Sequence, residues 1–169
     1  NEDDYEGVEI EGQPRLASGQ WPREEWRRVS SEYFRTLRIP VVRGRDLTPQ
    51  DTADAPSVVV INEAMARKYW PGIDPVGRRL RLTAAPYGWS EVVGIVGDVR
   101  EVGLDQPAKP MMFVHYHRGA RPVMALFARV NSTSDAMVQS IQQAVWSVDS
   151  TRPVFGVQRV DRLITDSMA

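Results

Sequence analysis

Four β-branched residues in a row, Val58-Val59-Val60-Ile61, run directly into Asn62 and a stretch that stops at Pro71-Gly72. Ser57 to Ile61 is short and apolar enough for a buried strand. Asn62 is a natural N-cap for a helix reaching about Trp70, and Pro-Gly cannot continue that helix. A strand that hands over to a helix with no loop between them predicts a mixed fold. The chain has 169 residues, enough for one domain or one domain with a small insertion. It has no cysteine, which excludes thiolate metal sites, thiol nucleophiles and disulfides. No apolar run approaches the ~20 residues of a membrane span, so the sequence predicts a soluble unit. It begins without Met and opens on six acids and no base in residues 1–11, the reverse of a signal peptide. A piece of a longer chain is the expectation.

Other elements follow from periodicity and punctuation. Tyr5–Ile10 alternates as a half-exposed strand, and 12–22 reads as a polar loop. Trp26–Val29 is a short strand, after which Ser30 or Ser31 should cap a helix to about Leu37, with Pro40 beyond its end. Val41-Val42 and Gly44 suggest an extended segment and a turn. Thr48-Pro49-Gln50-Asp51 has capping-box spacing and predicts a helical turn. Arg79–Thr83 alternates, and Trp89–Val99 reads as a strand with a bulge or a close backbone approach at Gly94 or Gly97. Residues 100–110 read as a loop. Met111–His117 and Val123–Val130 read as a hairpin. Asp135–Val148, capped by Thr133 or Ser134, carries the stripe Met137, Val138, Ile141, Ala144, Val145, Val148 of an amphipathic helix. A strand over Pro153–Val160 and a final helix complete a strand–helix–strand unit.

Chemical motifs are sparse. Gly72 to Gly77 has the glycine spacing of a phosphate loop, but Arg78-Arg79 stand where Lys and Ser or Thr are required, and Asp74 would repel phosphate. A turn before a strand fits better. Gly94 and Gly97 lack the first glycine of a dinucleotide fingerprint, because that position is Val92. His115 and His117, two apart on the expected strand, would share a side, a start toward a metal site with no third ligand close in sequence. Solvent-facing histidines are the commoner case. No nucleophile elbow is present. The net charge is −1, which argues against nucleic acid as a partner. Arg43, Arg45, Arg78, Arg79 and Arg81 form two basic patches, and pairing with carboxylates is a better reading than an anionic surface partner.

Several stretches resemble a known family. VSSEYFRTLRIPVVRGRDLT (29–48), SVVVINEAMARKYWPGIDPVGRRLRL (57–82), WSEVVGIVGDVREVGLDQPAKP (89–110) and residues 135–169 are similar to the MacB-like periplasmic core domain of FtsX-type ABC-transporter permeases. The motif positions, carried as structural ones, are Tyr33, Phe34, Pro40, Gly44, Arg45, Asp46, Asn62, Glu63, Asp74, Pro75, Gly77, Gly97 and Asp98. The likeness is greatest to the second of two such domains in duplicated permeases of the acidobacterial type. Arg38 departs from the pattern, standing where the family usually has Gly.

The resemblance implies an α+β fold: a porter-like subdomain of βαβ units (1–48 and 111–169) with a smaller mixed α/β subdomain inserted at 49–110. It implies a non-catalytic domain without cofactor, on the periplasmic side of an inner-membrane permease. ATP would be hydrolysed by a separate cytoplasmic ABC ATPase subunit that reaches this domain only through the permease. Other implied partners are a second permease copy or second periplasmic domain, and a periplasmic adaptor or substrate. The expected role is mechanical coupling, with the loops 12–22 and 100–110 as contact or hinge regions. Two alternatives stand beside it: a free-standing extracytoplasmic ligand-binding module, and a small metal-dependent hydrolase using His115 and His117.

Overall fold

The computed structural model describes residues 5–84, 88–98, 107–119, 123–131 and 135–158. The chain divides into two compact units, one of residues Asn1–Glu101 with Pro107–Phe127 and one of Val102–Gln106 with Ala128–Ala169.

The first unit contains strands β1 (Tyr5–Ile10), β2 (Arg23–Val29), β3 (Val41–Gly44), β4 (Val58–Asn62), β5 (Arg79–Leu82), β6 (Ser90–Val96) and β7 (Met111–His115), with helices α1 (Tyr33–Leu37) and α2 (Glu63–Tyr69). All seven strands join one sheet in the order β3-β6-β4-β7-β2-β1-β5, and β5 also pairs with β6. Glu91 of β6 is opposite Val58 of β4 on one edge and Arg79 of β5 on the other. The ring β6–β4–β7–β2–β1–β5 therefore closes on itself, and β3 continues along the edge of β6 that β5 begins. Closure leaves those six strands without an open edge over their paired length. Strands from 1–48, 49–110 and 111–115 all contribute to this sheet.

The sheet has apolar residues on both faces. Val59 and Ile61 of β4 join Val8, Ile10, Trp26, Leu80, Leu82, Val92, Ile95, Met112 and Val114 in one cluster, which α2 completes with Met65, Tyr69 and Trp70. Val58 and Val60 point the other way, into a second cluster with Val29, Phe34, Leu47, Val93, Val96, Met111 and Phe113. Every residue of β4 and β7 is buried, as expected for strands covered on both faces. The unbroken β-branched run at 58–61 is the sequence image of that burial.

The βαβ geometry lies in the middle of the chain: β4 and β6 run parallel, with α2 and β5 in the crossover. The bulge expected in β6 is present. Val59 pairs with Val92 and Val60 with Gly94, so Val93 is the extra residue. The Thr48–Asp51 box forms a turn rather than a helix, yet its reciprocal bond is made: Thr48 N–H donates to Asp51 Oδ2 at 2.7 Å.

Three expectations fail in this unit. Neither Ser30 nor Ser31 caps α1; the N-cap is Glu32, with no side-chain capping bond, and the helix is only five residues long. The hairpin is absent. β7 pairs with β2 on one edge and β4 on the other, so no edge remains for 123–130, and the chain leaves β7 through a 3₁₀ turn at Tyr116–Arg118. Residues 123–127 form no strand and expose Val123, Met124 and Leu126.

In the second unit, α3 (Asp135–Val148) matches the expected span, and none of its residues is fully buried. Residues 153–158 are irregular rather than a strand, with Phe155 and Val157 exposed. The expected cap at Thr133 or Ser134, the final helix, and most of the 100–110 loop lie outside the described residues.

Candidate functional site

The motif positions gather into four local structures. The first is the junction of β4 and α2. Asn62, 1 % exposed, accepts at Oδ1 from Met65 N–H (3.0 Å) and Met111 N–H (2.9 Å) and donates through Nδ2 to Lys109 O (2.8 Å). One side chain thus caps α2 and ties it to β7. Asp98 adds a second acceptor, taking Ala64 N–H at 2.7 Å and Arg67 at 2.6 Å. Glu63 sits in the first turn, where the helix dipole favours an acid. Gly97 lies against Pro40: a Cβ there would be 3.1 Å from Pro40 Cγ.

The second is the seam between β3 and β6. A Cβ on Gly94 would sit 2.0 Å from Arg45 O, and one on Gly44 2.2 Å from Val93 O, so the two backbones cross at a distance only glycines permit. Gly44 also has φ +71°. Just beyond, Arg45 forks onto Asp51 with bonds of 2.8 and 2.9 Å. Burial pushes Asp51 up, but the Arg45 fork and the Thr48 donors outweigh it and hold this carboxyl below its ordinary value. Asp46 accepts from Leu47 N–H at 2.6 Å, and partial burial raises its pKa.

The third is aromatic. Phe34, fully buried, meets Phe113 edge-on at 4.9 Å and Tyr33 at 5.4 Å, and Tyr33 reaches Phe127 at 5.8 Å. The fourth is the turn that precedes β5. Asp74 Oδ1 accepts from Val76 N–H at 3.1 Å while Oδ2 pairs with Arg43 at 2.9 Å, and both contacts lower its pKa. Pro75 O accepts from Arg78 N–H, and Gly77, at φ +84°, donates to Val92 O. This is a turn-forming glycine pair, as its residues suggested, with its acid facing Arg43 rather than a phosphate.

Four of the five patch arginines pair with carboxylates, Arg43 with Asp74, Arg45 with Asp51, Arg79 with Glu11 and Arg81 with Glu9, while Arg78 has no carboxylate partner among the described residues. Glu9 of β1 and Glu11 just beyond it thus face the arginines of β5.

The two histidines are neighbours, though only His115 lies in β7; His117 belongs to the 3₁₀ turn. Their rings stack at 4.8 Å. His115 is 2 % exposed, accepts at Nδ1 from His117 N–H, and finds no partner for Nε2 among the described residues. Burial, then the His117 charge, lower its pKa. No group of three His, Asp or Glu side chains that could hold a metal occurs among the described residues. The hydrolase alternative has nothing beyond this pair in its favour.

Two buried polar groups gave no sequence signal. Glu24, on β2, takes bonds from Lys68 (2.6 Å) and the Tyr69 hydroxyl, and burial followed by Glu24 raises the Tyr69 pKa. Arg118 donates to the carbonyls of Thr52, Ala55 and Pro56, pinning the loop before β4. Alternation could have placed Glu24 beside Trp26, but not Lys68 and Tyr69 from another element.

The model of the MacB-like periplasmic core domain matches residues 10–147, and the chain belongs to that family. Among solved structures, the periplasmic region of MacB from Actinobacillus actinomycetemcomitans is similar with a TM-score of 0.66 at 14% identity, over 96% of this chain and 71% of that one. A permease-protein domain from Porphyromonas gingivalis has a TM-score of 0.53 at 12% identity, over 82% of this chain and 58% of that one. The extracellular domain of the ABC-type transporter YknZ from Gram-positive bacteria has a TM-score of 0.44 at 17% identity, over 67% of this chain and 54% of that one. No curated protein sequence matches the chain. The α+β architecture expected from the sequence is the one found. Among the described residues, no helix is long and apolar enough to cross a membrane.

Proposed function

We propose that this chain is the extracytoplasmic domain of an inner-membrane ABC-transporter permease and that its work is mechanical. The observation that carries the reading is the closed ring of strand pairings in a chain of this family. A closed sheet resists shear between its strands, so a displacement entering at one point moves the ring as a body. The motif positions support this role. Asn62, Asp98, Gly44, Gly94 and the Arg45–Asp51 pair each lock one element onto another. Nucleotide-driven movement of the permease helices would enter through the chain ends and change how the domain engages a substrate, an adaptor or a second permease domain. ATP hydrolysis would belong to the cytoplasmic ABC ATPase subunit.

The test uses the intact permease with its ATPase. Flexible Gly/Ser linkers of ~10 residues at both junctions of this domain should preserve ATP hydrolysis and abolish transport. Unchanged transport would show that the domain transmits no movement.

A further inference from the structure

His115 is both the last residue of β7 and the N-cap of the 3₁₀ turn Tyr116–Arg118. Its Nδ1 accepts from His117 N–H at 3.4 Å, so that nitrogen carries no proton and the neutral ring holds its one proton on Nε2. Nε2 is buried and has no acceptor among the described residues. The turn ends on Arg118, 9 % exposed, whose guanidinium donates to Thr52 O (3.3 Å), Ala55 O (2.8 Å) and Pro56 O (3.1 Å). One imidazole nitrogen thus holds the turn, and the turn holds the loop that leads into β4.

An added proton can go only to Nδ1, because Nε2 already has one. It would turn the acceptor of the cap into a donor that faces the His117 N–H. It would also put a positive charge where water does not reach. Among the described residues, the charged groups around the ring are His117 and Arg118 on the turn and Asp51, which Arg45 already engages. β2 brings Val29 opposite His115, and Arg27 further back on that side is paired with Glu25. β4 contributes Val58 and Val60 to the same face. Burial first, then His117, hold the ring's pKa below its ordinary value; Asp51 opposes them and Arg118 adds to them.

We propose that His115 is an acid-operated latch: a proton on Nδ1 breaks the bond that starts the 3₁₀ turn, withdraws Arg118 from the carbonyls of 52–56 and frees that loop. The sheet stays closed, because β2 and β4 hold β7 on its two edges. In the released turn the ring meets water and titrates near its ordinary value of about 6.5. The released state therefore binds the extra proton, and acid favours it. Each pH unit below about 6.5 multiplies the ratio of released to latched molecules by up to tenfold, until the latched ring itself takes the proton. The latch is independent of the mechanical role.

Heteronuclear 15N NOEs of the 169-residue chain, followed from about pH 7 to 4.5, test the latch. The values at Thr52, Ala55 and His117 should fall together as the pH drops, while those of Val60 and Phe113 stay constant. His115→Asn keeps an acceptor at the δ position that takes no proton, and should hold the loop ordered through the whole range. His117→Gln, at an exposed residue, should keep the response. Loop NOEs that stay constant over this range, a response that survives His115→Asn or disappears in His117→Gln, or loss of the Val60 and Phe113 signals together with the loop would each overturn the latch. The wild-type and His117→Gln series decide the matter even where His115→Asn does not fold.

Discussion

Replacing Asn62 by alanine should cost this domain a large part of its stability, and the structure says why. The side chain makes three hydrogen bonds, of 3.0, 2.9 and 2.8 Å, to Met65 N–H, Met111 N–H and Lys109 O. Loss of an N-cap costs about 1 kcal/mol. Met111 is 4 % exposed, so its N–H would be left without a partner where water does not reach, at about 1–3 kcal/mol. Lys109 is exposed, and its carbonyl can turn to water at little cost. The sum is roughly 2–4 kcal/mol, against a typical total of about 5–15 kcal/mol. For a domain of this size that is a fall in Tm on the order of 10 °C. Urea unfolding reads it directly, as a lower midpoint at unchanged m. Asn62→Asp keeps both acceptor bonds but turns a carboxylate oxygen toward the Lys109 carbonyl at a buried position, so it should recover only part of the loss. A loss under about 1 kcal/mol for alanine, or an aspartate variant as weak as alanine, would refute the view that this side chain joins α2 to β7.

Gly94→Ala should destabilise far more than Gly7→Ala. The first new Cβ meets the Arg45 backbone at 2.0 Å, whereas the second meets only the rotatable Thr83 hydroxyl at 2.5 Å; paired thermal melts would show the order, and equal melts would contradict it. Arg38→Gly should stabilise by about 1 kcal/mol, since Arg38 closes α1 at φ +58°, where a side chain costs about 1–2 kcal/mol and glycine pays no such penalty; denaturant midpoints check it. His115 should make stability fall with acid. Its folded pKa lies below the ordinary value near 6.5, so between the two the unfolded chain binds the extra proton. Stability is therefore full above about pH 6.5 and declines as pH drops toward the folded pKa. His117, Asp51 and Arg118 modulate that titration, and His115→Gln should flatten the decline in urea midpoints between pH 7 and 5.

How far the fold could be read depended on whether its cause was local. Asn62 before an apolar-faced helix and Pro71-Gly72 after it are local signals, and α2 occupies the span they bound. The close approach at Gly94 was legible too, because a glycine inside a β-branched strand has few other uses. The hairpin was not. Residues 123–130 have good strand composition, but a strand also needs an edge, and both edges of β7 belong to β2 and β4. Partner choice across some 50 to 85 residues leaves no trace in a local window. The same holds for Glu24, whose burial becomes tolerable only when Lys68 and Tyr69 arrive from α2.

Arg38 shows the two kinds of information meeting. The family resemblance marked it as an arginine where Gly is usual, without saying what glycine does there. The backbone supplies the reason: this residue is in the left-handed region at the end of a five-residue helix, and its N–H bonds back to Arg35 O. The departure therefore bears on the local stability of α1, not on a binding surface. The motif residues whose contacts are described each join parts of the fold: Asn62 and Asp98 cap α2, Gly44 lets two backbones meet, Gly77 closes a turn, Arg45 forks onto Asp51 and Phe34 packs against Phe113. Positions of this kind fix how the elements of the fold join rather than supply the chemistry of a site.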